Sequence, residues 1–168
     1  MNLDWLNGLA REAAVAELLK CCGSKRWAEA VAAARPFAGP EQLFATAAGE
    51  FEKLGEGDWL EAFRHHPKIG GKRAAAAISA QAQGWSEQEQ SGTAGAARNT
   101  QEELIQANEE YERRFGYIFI VCASGKSAGE MLGILKSRLP NAPGKELRIA
   151  AREQAKITEL RLKRLLNL

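Results

Sequence analysis

Histidine is scarce in this sequence: there are two, His65 and His66, and they are adjacent. Histidine is the side chain whose ordinary pKa, about 6.5, allows proton transfer near neutral pH. Both imidazoles lie in FRHHPKIGG at residues 63–71, between an aromatic turn and a proline–glycine exit. Acid–base chemistry favours such a placement. A histidine pair is nevertheless more often a helix cap beside a solvated neighbour, so the pair alone leaves both interpretations open.

Cysteine is also scarce, with three residues, Cys21, Cys22 and Cys122. Two of them are adjacent, which is poor geometry for a mutual disulfide, and an odd number cannot pair fully. We therefore expect a reducing compartment. The sequence has no CxxC and no HExxH motif, and two adjacent histidines do not by themselves make a metal site. These absences predict a protein without a bound metal.

Long apolar runs and a strong charge of one sign are absent as well. No stretch approaches the roughly 18 apolar residues that span a bilayer, and the acidic N-terminal turns are unlike a signal peptide. The formal net charge of +2 is too small to predict a polyanionic partner. Lysine and arginine are spread along the chain, with one denser run at residues 161–164. The sequence therefore predicts a cytoplasmic protein that binds neither membranes nor nucleic acids.

A glycine-rich phosphate-binding loop is missing too. The tripeptide Gly125-Lys126-Ser127 resembles the end of such a loop, but Ile120 stands where the leading glycine belongs. A turn followed by a helix cap is the better interpretation. Since no glycine-rich loop follows a strand, a nucleotide cofactor is not expected. Any chemistry is predicted to be cofactor-free.

What the sequence does contain is mostly helical pattern. A chain of 168 residues with 45% hydrophobic content fits one core. We predict a single all-α domain over residues 1–168, a compact bundle of about seven to nine helices. Four predicted helices have bounds set by apolar spacing and breakers: 3–20 after the cap Asn2, 25–34, 40–54 with Pro40 in its first turn, and 144–166. A short helix is predicted to be capped by Asp58. Three more are predicted to begin with capping boxes at Ser86, Thr100 and Ser127.

Two segments depart from this pattern. Residues 117–122, YIFIVC, are β-branched and aromatic, and propensity alone predicts a strand. Because a single strand has no partner in this sequence, we expect a buried extended segment or an irregular helix. Residues 74–99 are rich in Ala, Gln, Gly and Ser, which favours a more mobile helix–loop region within the domain.

A histidine and a carboxylate stand out as candidates for chemistry. Pro67 moves His66 out of the helical region of backbone space, which fixes one imidazole at a helix exit. In the predicted capping box of Ser86, Glu89 is the side chain that reaches back, so Glu87 can project from the helix start. The helix dipole stabilises a carboxylate there by about 0.3–1 kcal/mol. On this pattern alone, an ordinary first-turn acid explains Glu87 better than a catalytic role.

Arg161 is the third candidate. On the last predicted helix it lies four residues after Ile157 and four before Leu165, along the stripe expected to be buried. Burying an unpaired charge is costly, so an arginine on this edge needs an anion. A substrate group and a structural carboxylate are equally good anions for it. Lys163 and Arg164 face elsewhere and are expected to be solvated.

With these residues in hand, the chain resembles the 2-oxo-4-hydroxy-4-carboxy-5-ureidoimidazoline (OHCU) decarboxylases of uric acid degradation. The resemblance runs nearly end to end, and it depends on the order and spacing of several motifs rather than on one. The motifs are RWA at 26–28, RPF at 35–37, HPKIG at 66–70, SEQ at 86–88, NEEYERRFGYIF at 108–119, GKS at 125–127 and ITELRL at 157–162.

The resemblance implies an all-α, homodimeric, cofactor-free enzyme acting on a small ureidoimidazoline, with a catalytic trio of His66, Glu87 and Arg161. His66 would move a proton, Glu87 would hold ureido N–H groups or set the His66 tautomer, and Arg161 would position the substrate or stabilise developing charge. The C-terminus has no peroxisomal address, in keeping with a bacterial-type cytoplasmic enzyme. Further substrate contacts are expected from Pro67, Ser86, Gln88, Gly116, Tyr117, Ile118 and Phe119.

Two other functions remain open. An all-α interaction module would present the basic face at residues 161–164 to nucleic acid, and its affinity would then fall steeply with salt. A different cofactor-free lyase or hydrolase would keep the dependence on histidine but reject OHCU. Neither alternative explains the order of motifs along the whole chain.

Overall fold

The structure is a computed structural model that describes residues 2–69, 80–93, 95 and 97–168. Residues 70 and 71 of the histidine turn and part of the predicted mobile region at 74–99 lie outside these ranges. Over the described residues the chain forms nine α-helices, one short 3-10 turn and no strand, which confirms the all-α prediction. The helices are α1 Leu3–Gly8, α2 Arg11–Cys21, α3 Lys25–Ala33, α4 Pro40–Glu52, α5 Glu56–Phe63, α6 Ala80–Glu89, α7 Arg98–Phe115, α8 Ala128–Arg138 and α9 Pro143–Leu165.

The chain divides into two compact units. The first comprises Met1–Ala62 and Ala155–Leu168, and the second comprises Phe63–Gln154. Helix α9 therefore supplies its beginning to the second unit and its end to the first. A single domain over residues 1–168 stays a prediction, and each unit has buried side chains of its own.

Several helices begin where local capping chemistry predicts. Asn2 Oδ1 accepts the backbone N–H of Trp5 at 2.9 Å, and Pro40 opens α4. Ser127 and Glu130 form the predicted capping box, in which each side chain accepts the other residue's backbone N–H. These starts depend only on residues within one helical turn, which is why the sequence predicts them.

Three other predicted helix starts are wrong. Ser86 lies inside α6, where its hydroxyl donates to the Ala82 carbonyl at 3.1 Å, a bond typical of serine in a helix interior. Thr100 lies inside the first turn of α7, after the helix has begun. Asp58 is not the cap of α5, because its carboxylate accepts the Gly55 N–H at 3.0 Å from within the first turn. A short polar residue does not start a helix when the residues before it are already helical.

The predicted helix 3–20 is in fact two helices. Helix α1 ends at Gly8, a residue of low helix propensity, and α2 begins at Arg11. The guanidinium of Arg35 donates to the carbonyls of Leu6 at 2.6 Å and Leu9 at 2.8 Å. It thereby satisfies carbonyls that a helix end leaves without an internal partner. A tertiary contact therefore stabilises the end of the first helix.

The core of the first unit is centred on Trp27. The indole N–H of Trp27 donates to the Ala47 carbonyl at 2.9 Å, which joins α3 to α4. Leu18, Leu43 and Leu165 are fully buried in the same unit. A buried indole that finds an acceptor contributes both apolar area and a satisfied hydrogen bond.

The core of the second unit lies among α7, α8 and residues 117–123, which we call the extended segment. Tyr111, Phe119, Met131 and Leu135 are fully buried there. The rings of Tyr111 and Phe119 meet edge to face with centroids 5.3 Å apart. The predicted buried extended segment is thus confirmed, and its apolar side chains fill a helical core.

Candidate active site

The histidine turn follows directly on α5. The backbone N–H of His66 donates to the Phe63 carbonyl at 3.1 Å. His66 is 8% exposed, whereas His65 is half-buried. The Nε2 atom of His66 lies 2.7 Å from Oε1 of Gln154 in a buried contact. The two histidines therefore differ in environment, and His66 is the buried one.

Helix α7 holds the residues that follow His66. Asn108 Nδ2 donates to the Ile69 carbonyl at 3.5 Å. One turn later on the same helix, Glu112 forms an ion pair with Lys68. The turn is therefore tied to α7 by one buried amide and one partly exposed ion pair.

Helix α6 carries the predicted carboxylate and its neighbours. Glu87 is exposed and accepts a hydrogen bond from Gln83 Nε2 at 3.4 Å. Gln88 is exposed as well, and Ser86 is buried. Glu89, to which the capping-box prediction assigned a structural role, is only 7% exposed. The capping box does not form, so Glu89 does not have the capping role predicted for it, and the catalytic role of Glu87 stays a prediction.

Glu89 is the buried acid of α6, for which the sequence predicted only a capping role. Ala82, Ser86 and Glu89 follow one another at the i, i+4, i+7 spacing of one helix face, and all three are buried. Because α6 already begins at residue 80, Glu89 lies on the same face as Ala82 and Ser86. A helix that began at Ser86 would lack Ala82, and the pattern of this face could not be recognised. Glu89 is also close enough to Cys122 for its charge to raise the pKa of that thiol. Glu89 therefore faces the interior of the second unit.

Side chains hold the backbone of the extended segment. The guanidinium of Arg138 donates to the Ile120 carbonyl at 2.8 Å. The Cys122 N–H donates to Glu153 Oε2 at 2.8 Å, and Lys126 Nζ donates to the Cys122 carbonyl at 2.7 Å. Buried backbone groups require hydrogen-bond partners, which a neighbouring strand would normally supply. Here three side chains supply some of these hydrogen bonds instead.

The predicted substrate contacts at residues 116–119 lie where α7 ends and the extended segment begins. Gly116 ends the helix with a φ of 81°, a left-handed conformation that favours glycine. Tyr117 and Ile118 are half-buried, and Phe119 is buried. The ring centroids of Tyr117 and Phe63 are 5.3 Å apart. The start of the extended segment therefore contacts the start of the histidine turn.

Cys122 is a poor candidate for a nucleophile. Burial raises the pKa of its thiol, and the carboxylates of Glu153 and Glu89 raise it further, while Lys126 lowers it. The thiolate, not the thiol, is the reactive form of cysteine. The carboxylates of Glu153 and Glu89 are therefore both near the Cys122 thiol of the extended segment.

Arg161 lies on α9 in the first unit, on the buried edge that the sequence predicts, and is 2% exposed. Its guanidinium donates to the Lys20 carbonyl at 3.3 Å, near the C-terminal end of α2. A cation is favourable at a helix C-terminus. The pKa of the nearby Cys22 thiol is raised to about 11, chiefly by burial, although Arg161 lowers it. Lys163 is exposed and pairs with Glu159 at 2.6 Å, as expected for a solvated face.

The candidate residues are distributed over both units. His66, Glu87, Glu89 and the extended segment belong to the second unit, and Arg161 belongs to the first. Among the described residues, no group of three or more histidine, cysteine or acidic side chains is arranged to hold a metal ion. Within the same residues, no helix has the length and apolar character needed to cross a bilayer.

The sequence is similar to a known protein family over most of its length. Residues 7–163 match the model of the OHCU decarboxylase family. The chain is 37% identical over 159 residues to the uric acid degradation bifunctional protein TTL of Arabidopsis thaliana, which covers 95% of this chain and 49% of that protein. It is 32% identical to the 2-oxo-4-hydroxy-4-carboxy-5-ureidoimidazoline decarboxylase of Amia calva, over 80% of this chain and 77% of the relative. The chain thus spans about half the length of the plant relative.

Solved structures agree with these relatives. A crystal structure of OHCU decarboxylase in the presence of (S)-allantoin superposes with a TM-score of 0.78 at 38% identity, covering 90% of this chain and 98% of that one. A crystal structure of (S)-allantoin synthase shares the fold, with a TM-score of 0.71 at 18% identity over 99% of this chain and 54% of that one. Since the family model covers most of the sequence and the fold agrees, this chain belongs to the OHCU decarboxylase family.

Proposed function

We propose that this protein is a carboxy-lyase that converts OHCU to (S)-allantoin in urate degradation without a cofactor. The observation that carries the proposal is the likeness, over 98% of its length, to an OHCU decarboxylase crystallised in the presence of (S)-allantoin. The buried contact between His66 and Gln154 supports it, because a decarboxylation that yields allantoin ends in a proton transfer. A buried, hydrogen-bonded imidazole suits that step.

The substrate itself supplies the electron sink. Its carboxylate-bearing carbon also carries a hydroxyl and is adjacent to a ring C=N bond. When the bond to the carboxylate breaks, carbon dioxide leaves and the electron pair moves into the ring. A proton then adds to the adjacent ring carbon, which carries the ureido group, while the hydroxyl gives up its proton and becomes a carbonyl; the face of addition sets the (S) configuration. The protein therefore has to orient the ring, move one proton and stabilise the charge that develops.

In this reaction His66 exchanges the proton, either with the substrate hydroxyl or with the developing carbanion. Its ordinary pKa range matches general acid–base work near neutral pH. Pro67, half-buried beside it, limits the conformations of the turn. The half-buried Tyr117 and Ile118 and the buried Phe119 offer apolar surface and backbone groups for binding.

The acidic partner is one of two residues on α6. The role expected of Glu87 is to hold the ureido N–H groups, and an exposed carboxylate would do this in contact with water. Glu89 is buried, and a hydrogen bond to a charged carboxylate is stronger when water is excluded. We assign the role to Glu89, with the buried Ser86 on the same helix face and the exposed Gln88 beside it as further candidate contacts.

Arg161 is assigned a role in positioning the substrate or stabilising charge on its ring and carbonyl oxygens. A guanidinium bound only to the leaving carboxylate would stabilise the ground state, and binding shared equally with the transition state does not raise kcat. Interactions that strengthen as charge develops do raise it. The near-complete burial of Arg161 supports this role, since burial strengthens its electrostatic interactions.

The experiment that tests the function is a coupled ultraviolet and circular dichroism assay. OHCU is made in situ from urate by the upstream enzymes and is followed with and without this protein. Rapid formation of dextrorotatory allantoin that is lost in His66→Ala supports the proposal. His65→Ala is the matched control and should retain activity. Slow, racemic allantoin at the spontaneous rate would overturn the proposed function and bring the interaction-module alternative forward.

The assembly and compartment expected from the resemblance are a cytoplasmic homodimer. Light scattering on the purified protein should give about twice the chain mass of 18.3 kDa. A mass of one chain at micromolar concentration would contradict the dimer.

A further inference from the structure

The buried partner of the candidate catalytic histidine is a neutral amide. Gln154 lies on α9 with no exposed surface, and its Oε1 is 2.7 Å from Nε2 of His66. The two residues are 88 positions apart in the sequence, and both belong to the second unit. From the sequence, a carboxylate, Glu87, is one candidate for setting the tautomer of this imidazole.

The chemistry of the two groups constrains the proton. A side-chain amide oxygen can only accept a hydrogen bond, so the imidazole nitrogen that faces it must donate. In a neutral imidazole one nitrogen carries hydrogen and the other is the acceptor. A buried polar group left without a hydrogen-bond partner destabilises the folded protein, so the contact favours one tautomer over the other.

We propose that Gln154 is a positioning residue that holds His66 as the Nε2–H tautomer and leaves Nδ1 as the nitrogen that takes and returns the proton. The catalytic consequence rests on the proposed function, whereas the tautomer itself does not. Because Nε2–H is present in both the neutral and the protonated ring, the bond to Gln154 persists through the whole proton cycle. The imidazole therefore needs no reorientation between accepting the proton and delivering it.

Gln154 is a neutral partner, so this contact orients the ring without adding a charge. A carboxylate in the same place would favour the charged imidazolium and raise its pKa.

The adjacent residue on α9 links this contact to the extended segment. Glu153 accepts the Cys122 N–H at 2.8 Å, while Gln154 contacts His66. Two consecutive side chains thus position the proton-transfer group and the segment expected to bind substrate. Catalysis requires both groups to be held to within a fraction of an ångström, and both are held by side chains from the same turn of α9.

The test is nitrogen NMR on the full-length protein labelled with 15N-histidine. The chain has two histidines, so the spectrum holds two ring systems and His65→Ala assigns them. Above the titration midpoint, His66 should show a protonated Nε2 and an unprotonated Nδ1. A protonated Nδ1 with an unprotonated Nε2 would overturn the inference. Because this measurement needs no substrate, it stands or fails separately from the activity on OHCU.

A variant then connects the tautomer to turnover. Gln154→Leu should give His66 a mixture of tautomers and lower kcat roughly 10–100-fold with a smaller effect on KM. Gln154→Met, which better preserves the length of the side chain, replaces it if Gln154→Leu does not fold by circular dichroism. Gln106→Leu, an exposed glutamine on α7, is the matched control and should leave the His66 spectrum and kcat unchanged. An unchanged tautomer and kcat in the folded Gln154 variant would contradict the positioning role.

Discussion

Glu146 Oε1 lies 2.6 Å from Arg138 Nε in the second unit, where Glu146 has no exposed surface. The same oxygen accepts the Tyr111 hydroxyl at 2.5 Å. Burial and this carboxylate together raise the pKa of Tyr111 far above its ordinary range. Arg138 also donates to the Ile120 carbonyl, so the ion pair both neutralises two buried charges and holds the extended segment.

Arg138→Met is expected to destabilise the protein strongly. It leaves the Glu146 carboxylate buried without its cation, and breaking a buried pair in this way typically costs about 3–5 kcal/mol. Urea unfolding followed by circular dichroism measures the change in the free energy of unfolding. The double variant Arg138→Met/Glu146→Leu should recover part of the loss, because no unpaired charge remains.

The matched control for this prediction is the exposed pair of Arg98 with Glu102 on α7. Exposed pairs of this kind contribute about 0–1 kcal/mol. Arg98→Met should therefore change the free energy of unfolding by less than about 1 kcal/mol. If Arg138→Met has no larger effect than Arg98→Met, the buried pair is not an anchor of the second unit.

Two glutamates on one helix allow a direct test of which acid serves the reaction. Glu89→Gln is expected to lower kcat by about 10²-fold or more, the usual range for losing a catalytic acid–base or charge-stabilising group. Glu87→Gln makes the same chemical change at an exposed position. The activity of this variant should stay within about twofold of the parent, because hydrogen bonds and charge interactions are weaker in contact with water. Steady-state kinetics with OHCU measures both. The reverse order of effects would restore the original prediction for Glu87.

Substitution of Arg161 distinguishes binding shared equally by the ground and transition states from binding that strengthens in the transition state. If it stabilises charge that develops in the reaction, Arg161→Ala lowers kcat as well as raising KM. Near-normal kcat with only a raised KM would contradict that role. Because Arg161 also donates to the Lys20 carbonyl, the stability of the variant must be measured alongside the kinetics, and Arg161→Lys tests whether charge alone is sufficient.

Replacing Gln154 by a carboxylate should change the titration of one histidine only. In Gln154→Glu, an anion lies beside His66 Nε2 and favours the imidazolium, so the His66 pKa should rise by about 1–3 units. NMR titration of the two histidines measures it, with His65 as the internal control. A His66 pKa that does not move would mean that position 154 does not face the ring in solution.

The buried thiol of Cys22 predicts a loss of stability in alkali. Burial raises the pKa of this thiol from its ordinary value of 9.0 to about 11. The unfolded chain ionises first, so the contribution is fully present below about pH 9 and is lost as the pH rises through 11. Between pH 8 and pH 10 the parent protein should lose about 1 kcal/mol more than Cys22→Ala. Equal losses in urea unfolding at the two pH values would contradict the raised pKa.

Local chemistry explains which parts of the fold the sequence predicts well. The cap at Asn2, the proline at the start of α4 and the capping box at Ser127 each involve residues within one turn, and all three are confirmed. For the strand-like run at residues 117–122 the sequence leaves a buried extended segment and an irregular helix open, and the structure shows that the run lies outside the helices. Family membership likewise needs no tertiary information, because the family model matches the sequence itself over residues 7–163.

The failures have a common cause. Ser86 is a strong cap by pattern, but residues 80–85 are already helical, so it lies inside α6 and Glu89 faces the interior. The end of α1 is held by Arg35, which lies far along the sequence from Leu6. In both cases a preference that is worth about 1 kcal/mol yields to packing and hydrogen bonds from elsewhere in the chain.

The sequence by itself determined the helical class, the family and the presence of His66 in a proline-restricted turn. Only the tertiary structure decided what surrounds that imidazole, because Gln154 lies 88 residues away and no helical or strand period relates the two positions. In the same way, only the structure shows that Glu87 is exposed and Glu89 is buried. Local residues set the backbone of a turn, whereas the protonation and exposure of its side chains depend on whichever distant groups the fold packs against them.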